Sequence, residues 1–395
     1  MFVMRASEIT GAANWDLVRS RHPELVDQLD RGLREGDPLA QAVIVEMRER
    51  ADYGWADIQK ILDAPVARRA DAPPCLRALL DAASELPPWF DPALAHAGAR
   101  AWWKFGTLQS STLYQSLIYG YQAPGFVRPL VVTGQLAENT YDRVLSTGRW
   151  VALATAPGQM VPGNEGWSNT LRIRLIHAMV RDHIESSGEW DEDGWGVPIN
   201  QTYTALTIGA GFCALPMTIA GDFGIQYSAA EREAITHMWR WIGHVIGVGE
   251  ALLPVNFAAA QDLYSVGAEF DLEPDEWSKT LTQALLREGY RLDLPFVPTV
   301  VTSMMTMMLR PMLSMSFSSM STRWVEKPVA GKMGLRRTPL HHVVELMRPA
   351  VRLREVIRVI GFLGDEERVV NREMRAVMRS LGMSADEIRT IRSAA

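Results

Sequence analysis

The sequence is poor in cysteine. Its 395 residues contain only two, Cys75 and Cys213, and these lie far apart along the chain. Two distant thiols exclude a disulfide framework, and they exclude a cysteine-based zinc or iron–sulfur site as well.

The sequence also lacks the apolar segments that direct a chain to a membrane. No apolar stretch followed by a small-residue cleavage site occurs near the N-terminus, and no run of about 18 uninterrupted apolar residues occurs anywhere. We therefore expect a cytoplasmic protein without a secretory signal or a transmembrane span. Contact with a membrane surface stays open.

An excess of positive charge is absent too. The formal net charge is −6, which argues against nucleic acid as a partner, because non-specific binding to phosphates needs a basic face. The motifs of several enzyme classes are missing: the G-x-S-x-G elbow, H-E-x-x-H, the Walker loop and a G-x-G-x-x-G turn. Because no C-x-x-C-H motif occurs, covalent c-type haem is excluded.

What is present is helical periodicity. The best strand pattern, residues 126–132, is interrupted by Pro129. The pattern predicts an all-α fold whose helices include residues 37–63, opened by Asp37 and Pro38. We divide the chain into an N-terminal helical extension (1–90), a core (91–300) and a C-terminal helical region (301–395). The methionine-rich residues 301–320 are interpreted as core packing, with a lipid-facing surface as the alternative.

Three residues on one predicted helix form the first candidate site. Arg174, His177 and Arg181 are spaced i, i+3 and i+7, so they share one stripe beside an apolar one. A buried imidazole between two guanidiniums needs a partner. A haem would satisfy all three residues, with iron on the imidazole and propionates on the arginines. The alternative is a core histidine flanked by surface arginines.

A second candidate is the predicted helix over residues 139–154, which carries Arg143, Ser146 and Thr147 within about one turn. An arginine and a hydroxyl so placed suit an anion, or dioxygen at a metal. The alternative is a surface ion pair between Arg143 and an acid such as Glu138.

A third candidate is the pair His237 and His244, spaced i, i+7 in a predicted core helix that also contains two glycines. Glycines inside a helix permit the close approach of another backbone or a flat ligand. These histidines are interpreted as second ligands or as hydrogen-bonding core residues.

Three blocks of the sequence resemble one enzyme family. Residues 172–181 (RIRLIHAMVR), 198–212 (PINQTYTALTIGAGF) and 237–254 (HMWRWIGHVIGVGEALLP) are similar to the catalytic domain of rubber oxygenases, or latex-clearing proteins. They are similar as well to the fungal mycophenolate-pathway oxygenase. Arg143 and Thr147 match a family helix that precedes the histidine.

The resemblance implies a globin-like all-α core that holds a non-covalent haem b. His177 would be the proximal iron ligand, Arg174 and Arg181 would flank it, and His237 and His244 would lie in the later family helix. The family places a lysine directly before the threonine, where this chain has Ser146. The distal catalytic glutamate of the rubber enzymes has no match in register.

The resemblance therefore leads us to expect a haem-dependent oxygenase. It would use dioxygen on an apolar, unsaturated or isoprenoid-like small molecule. Arg143, Ser146 and Thr147 would lie on the distal side. The alternatives are a haem peroxidase or hydroxylase of a secondary metabolite, a non-catalytic haem-binding protein, and a haem-free helical scaffold.

Overall fold

The fold is described from a computed structural model that covers residues 15–64, 71–132, 140–269, 273–289, 299–362 and 364–393. Across these ranges the chain forms helices and no strand, so the predicted all-α class is confirmed. The α-helices are α1 (Trp15–Arg21), α2 (Pro23–Gly32), α3 (Pro38–Glu49), α4 (Trp55–Asp63), α5 (Pro74–Ser84), α6 (Pro92–Trp102), α7 (Gln109–Gly120), α8 (Pro124–Val132), α9 (Thr140–Ala154), α10 (Glu165–Ser187), α11 (Glu192–Trp195), α12 (Gln201–Ala205), α13 (Leu215–Phe223), α14 (Ala229–Val245), α15 (Phe257–Glu269), α16 (Glu276–Glu288), α17 (Thr299–Ser321), α18 (Lys327–Lys332), α19 (Val343–Val359), α20 (Glu366–Ser380) and α21 (Ala385–Ser393). Short 3-10 helices occupy Trp103–Leu108, Glu250–Leu252 and Pro339–His342.

The predicted start of the third helix is confirmed. The Asp37 side chain accepts a hydrogen bond from the Ala40 N–H at 3.2 Å, and Pro38 is the first helical residue. The predicted segment 37–63 is nevertheless two helices, α3 and α4. The weak strand pattern at 126–132 lies in helix α8 with Pro129 inside it.

The buried helical segment 201–223 contains a π-helical stretch. Between α12 and α13, the residues Leu206–Ala214 form a π-helix, and all but Thr207 are buried. Such stretches are rare in proteins and concentrate at functional sites. This one packs against α15 and α14 in the middle of the molecule.

Aromatic side chains from four elements meet at Trp239 of α14. The Trp102 ring lies 5.3 Å from it, the Trp150 ring 6.2 Å, and the Phe212 ring stacks on it at 5.8 Å. Large aromatic rings bury much apolar surface at one point, so this cluster holds α6, α9 and the π-helix on α14.

One carboxylate on α13 attaches the C-terminal helices to this core. Asp222 accepts a hydrogen bond from Trp324 Nε1 at 2.9 Å and pairs with Arg323 at 3.4 Å. The Asp222 carbonyl accepts another from Arg348 Nε at 2.7 Å. The end of α17 and the start of α19 are thus fixed to the same residue.

The interpretation of the methionine tract as core packing is wrong for the outer face of α17. Five of its methionines, spaced along that face, are exposed on the surface: Met304, Met307, Met308, Met312 and Met315. A helical pattern of apolar residues does not show whether another element covers them.

One described helical segment, Gln201–Phe223, is long and apolar enough to cross a membrane by length and composition alone. Within its apolar window, 78% of the residues are buried inside the protein.

Candidate functional site around helix α10

Helix α10 carries the predicted Arg174–His177–Arg181 stripe and packs against α3 and α9. Its first turn contains Glu165, and it ends at Gly188 in the left-handed region, φ 70°. Both arginines of the stripe are buried, with 7% and 5% of their surface exposed. The two guanidiniums nevertheless have different partners.

Arg174 forms an ion pair with Asp37. Its Nε and Nη2 donate to the two carboxylate oxygens at 2.6 and 3.0 Å, and its Nη1 donates to the Val245 carbonyl at 3.2 Å. Because Asp37 is itself 8% exposed, the pair is buried on both sides. Protein groups therefore occupy the donors of Arg174 that the sequence-based interpretation assigned to a propionate.

Arg181 has backbone partners only. Its Nε donates to the Pro198 carbonyl at 2.9 Å and its Nη2 to the Ile199 carbonyl at 2.6 Å. Its Nη1 is buried without a hydrogen-bond partner, and no carboxylate of the described residues forms an ion pair with it. Burial lowers the pKa of this guanidinium. Arg181 is the buried cation of the stripe that forms no ion pair, although the charges of the nearby Asp37 and Glu185 carboxylates raise its pKa.

The residue that receives Arg181 is conformationally strained. Ile199 has φ 51°, the one positive value at a non-glycine position among the described residues. A β-branched residue rarely adopts this region. The two hydrogen bonds from Arg181 hold this turn, between α11 and α12, in place.

His177 lies between the two arginines and is partly buried. Its imidazole makes no hydrogen bond to any described residue. Burial, and then the nearby Arg181 charge, lower its pKa to about 4. The ring is therefore neutral at physiological pH, with a nitrogen lone pair available.

Helices α9 and α10 run antiparallel. Gly166 approaches the Leu153 carbonyl, and one turn later Trp150 Nε1 donates to Thr170 Oγ1 at 3.1 Å. Arg143 precedes Trp150 by seven residues, and His177 follows Thr170 by seven, so each lies two turns further along the same stripe. Arg143 and His177 therefore occupy the same level on the facing sides of the two helices.

The Arg143 side of α9 has one arginine and two hydroxyl groups. Arg143 Nη2 donates to the buried Tyr121 hydroxyl at 2.6 Å, a contact that sequence reasoning missed. Thr147 donates its hydroxyl proton to the Arg143 carbonyl at 2.9 Å, whereas Ser146 is exposed. Burial raises the pKa of Tyr121 although Arg143 lowers it, so the phenol stays protonated. Glu138, the suggested partner of Arg143, lies outside the described residues.

His237 and His244 lie together in an aromatic cluster on α14. His237 Nε2 accepts a hydrogen bond from the Asp91 N–H at 2.9 Å, and its ring stacks on Phe90 at 5.7 Å. His244 stacks on Trp241 at 5.3 Å. The rings of the two histidines pack the segment before α6 against α14.

A surface cleft of about 750 Å³ distinguishes His177 from the other candidate residues nearby. Arg174, Arg181 and His244 line it, together with residues around Gly36 and Gly247, whereas His177 is not among the described residues that line it. The structure thus brings His244 to the same cleft as the two arginines.

Comparison with known proteins assigns this arrangement to a family. The family described as "ER-bound oxygenase mpaB/B'/Rubber oxygenase, catalytic domain" matches residues 102–361. The chain belongs to this family. The match includes every candidate site residue, from Arg143 to His244, and leaves Asp37 outside.

A member of the family and a solved structure show how far the similarity extends. The rubber oxygenase of Streptomyces sp. (strain K30) is 23% identical over 240 residues, which are 57% of this chain and 55% of that protein. The chain thus spans about half the length of this curated relative. The structure of latex clearing protein in the closed state superposes with a TM-score of 0.61 at 18% identity, covering 92% of this chain and 90% of the other. That likeness shows a shared helical fold.

Proposed function

We propose that this chain is a haem b-dependent oxygenase that uses dioxygen to oxidise an apolar, unsaturated, isoprenoid-like substrate. One observation carries the proposal: in a member of an oxygenase family, His177 and Arg143 lie at one level on facing helices. A hydrogen-bond donor across from a neutral imidazole is an arrangement that suits dioxygen chemistry at a haem.

The residues present fit a haem. The His177 imidazole is neutral, which is the form that binds iron, and no protein hydrogen bond occupies it in the described part of the chain. The buried Nη1 of Arg181, one turn away, lacks an acceptor that a propionate oxygen would supply.

The haem would supply the redox chemistry that lets dioxygen react with a carbon–carbon double bond. The chain supplies the surroundings. Arg143, held by Tyr121, places a cationic donor opposite His177. Ser146 is the better available hydroxyl donor, because the Thr147 proton is already engaged with the Arg143 carbonyl.

Haem binding is tested first by reconstitution of the purified chain with haemin. His177→Ala should lose the Soret band, because it removes the proposed iron ligand. His183→Ala, an exposed histidine of the same helix, is the matched control and should keep it. An unchanged Soret band in His177→Ala would sink the assignment.

The chemistry is tested by oxygen consumption with terpenoid and polyisoprene substrates. Arg143→Met should keep the Soret band and lower oxygen consumption by about 10²–10³-fold, as expected when one preorganised donor is removed. A wild-type protein that binds haem but consumes no oxygen with any apolar substrate would instead be a haem-binding protein.

The distal position of Ser146 has its own test. Ser146→Lys should produce a low-spin, six-coordinate spectrum, because an amine at this position can reach the iron. No change in spin state would place Ser146 away from the haem.

A further inference from the structure

The positive charge of this acidic chain is concentrated in one segment. Residues 299–362 contain ten Lys and Arg but three Glu, a formal charge of +7, whereas the whole chain carries −6. The remainder of the molecule is therefore strongly acidic, and its field directs this segment toward an anionic surface.

The same segment contains most of the exposed apolar side chains. Of the sixteen large hydrophobic residues that are exposed among the described residues, eleven lie between Met304 and Phe362. Scattered exposed apolar residues are ordinary, but a concentration of them marks an interaction surface.

Helix α19 presents these side chains on the face opposite the core. Val344 and Val351 are buried at a spacing of seven residues. Two residues further along, and so about 200° round the helix, Leu346 and Leu353 are 77% and 60% exposed. Ile360 continues this outer stripe at 64%.

The end of α19 extends the outer stripe. Gly361 adopts φ 77°, and the Phe362 N–H donates to the Ile357 carbonyl at 3.1 Å, which closes the helix in a Schellman motif. The residue after the glycine usually packs back on the helix. Phe362 points outward instead and is 84% exposed.

Arginines border the stripe without covering it. Arg352 is exposed beside Leu353, and the segment leading into the helix exposes Lys332, Arg336 and Arg337. Arg348 of α19 donates to the Asp222 carbonyl, and Arg323, which pairs with Asp222, also pairs with Glu345 of α19, so the helix is held on the core.

We propose that the outer face of α19 with Phe362 docks on an anionic lipid bilayer, with the helix lying in the plane of the headgroups. Leu346, Leu353, Ile360 and Phe362 enter the interface, and the neighbouring arginines bind lipid phosphates. A second copy of the chain is a poor occupant, because a symmetric dimer would place one +7 segment against another. Bilayer docking also places the enzyme where apolar molecules dissolve.

The proposal is tested by sedimentation of the full chain with phosphatidylcholine vesicles that contain or lack phosphatidylglycerol. The protein should bind the anionic vesicles and dissociate as salt is raised. Leu353→Ser/Ile360→Ser should lower the partition coefficient by about tenfold or more. Leu86→Ser/Val255→Ser, which replaces two exposed apolar residues elsewhere, is the matched control and should bind as the parent does.

Three outcomes would overturn the proposal. The first is no binding to anionic vesicles, and the second is full binding by Leu353→Ser/Ile360→Ser. The third is a dimer that forms without vesicles and that Leu353→Ser/Ile360→Ser abolishes, because the outer face of α19 would then join two copies of the chain. Thermal melts of both double variants should match that of the parent, since all four side chains are exposed. Haem binding is a separate property, so a failed Soret assay and a failed vesicle assay can be told apart.

Discussion

Arg174 and Arg181 lie two turns apart on one helix, both buried, yet only Arg174 has a carboxylate partner. A paired arginine is part of the fold, because its charge is compensated as soon as the chain folds. Arg181 donates to backbone carbonyls alone and interacts with Asp37 and Glu185 without an ion pair, so its buried Nη1 can still bind an anion from a ligand. Two arginines on one stripe with similar burial therefore have two different roles.

The largest expected effect comes from removal of the compensating carboxylate. Asp37→Ala leaves Arg174 buried and unpaired and should lower the free energy of unfolding by about 3–5 kcal/mol. Urea denaturation measures this. Asp91→Ala removes another N-terminal cap, which has no ion pair, and should cost about 1 kcal/mol. If the two variants were equally stable, the ion pair would contribute nothing.

A double-mutant cycle separates the two arginines directly. Arg174→Met should destabilise by about 3 kcal/mol because Asp37 loses its partner, and Asp37→Ala/Arg174→Met should recover part of that loss. Arg181→Met should change stability of the haem-free protein by about 1 kcal/mol or less, since the lost hydrogen bonds are offset by removal of an unpaired charge. A loss from Arg181→Met as large as that from Arg174→Met would contradict the comparison.

The space around the ion pair gives a smaller effect. Gly247 has φ 96°, and a Cβ there would lie 2.5 Å from both Arg174 Nε and Asp37 Oδ2. Gly247→Ala should cost about 1–3 kcal/mol through backbone strain and displacement of the pair. Gly221→Ala, in a helix with open space around it, is the control and should be neutral or stabilising. Thermal melts of both variants decide this.

The α9–α10 register has a weaker test. Thr170→Val removes the acceptor of the buried Trp150 N–H, which should cost about 1–2 kcal/mol. If the register places Arg143 opposite His177, this variant should also shift the Soret band of the reconstituted protein. If stability falls but the Soret band does not shift, the Trp150–Thr170 hydrogen bond stabilises the fold without positioning the haem site.

The smallest expected effect is on the pH dependence of stability and comes from the imidazole of His237, which is neutral in the folded protein, in contrast to the charged arginines. Burial lowers the pKa of His237 below its usual 6.5, and its Nε2 accepts the Asp91 N–H. Its contribution to stability is therefore complete above pH 6.5 and falls as the pH drops below that value, because the unfolded chain binds the proton more tightly. His237→Asn should show a flatter decline between pH 7 and 5.5. If the stability of His237→Asn declined equally steeply, the pH dependence would come from other titratable groups.

The sequence predicted what is local and missed what depends on distant neighbours. The stripe on α10, the helix with Arg143, and the Asp37 cap follow from spacing within one helix. That Asp37 pairs with Arg174 could not be predicted, because 137 residues separate them. Tyr121 was missed since no local signal links it to Arg143. The methionines of α17 were assigned to the core for the same reason. Helical spacing identifies an apolar face, but it does not show whether another element covers that face.

The π-helix between α12 and α13 has a consequence for orientation. In an α-helix each residue advances the chain by about 100°, so loss of one residue within Leu206–Ala214 would turn α13 relative to α12 by that angle. Asp222 would then leave Trp324, Arg323 and Arg348. The number of residues in the π-helix therefore determines how the C-terminal helices are rotated about the axis of this segment. A single-residue deletion there would change the orientation of the basic segment 299–362 relative to the rest of the molecule, although no surface residue had changed.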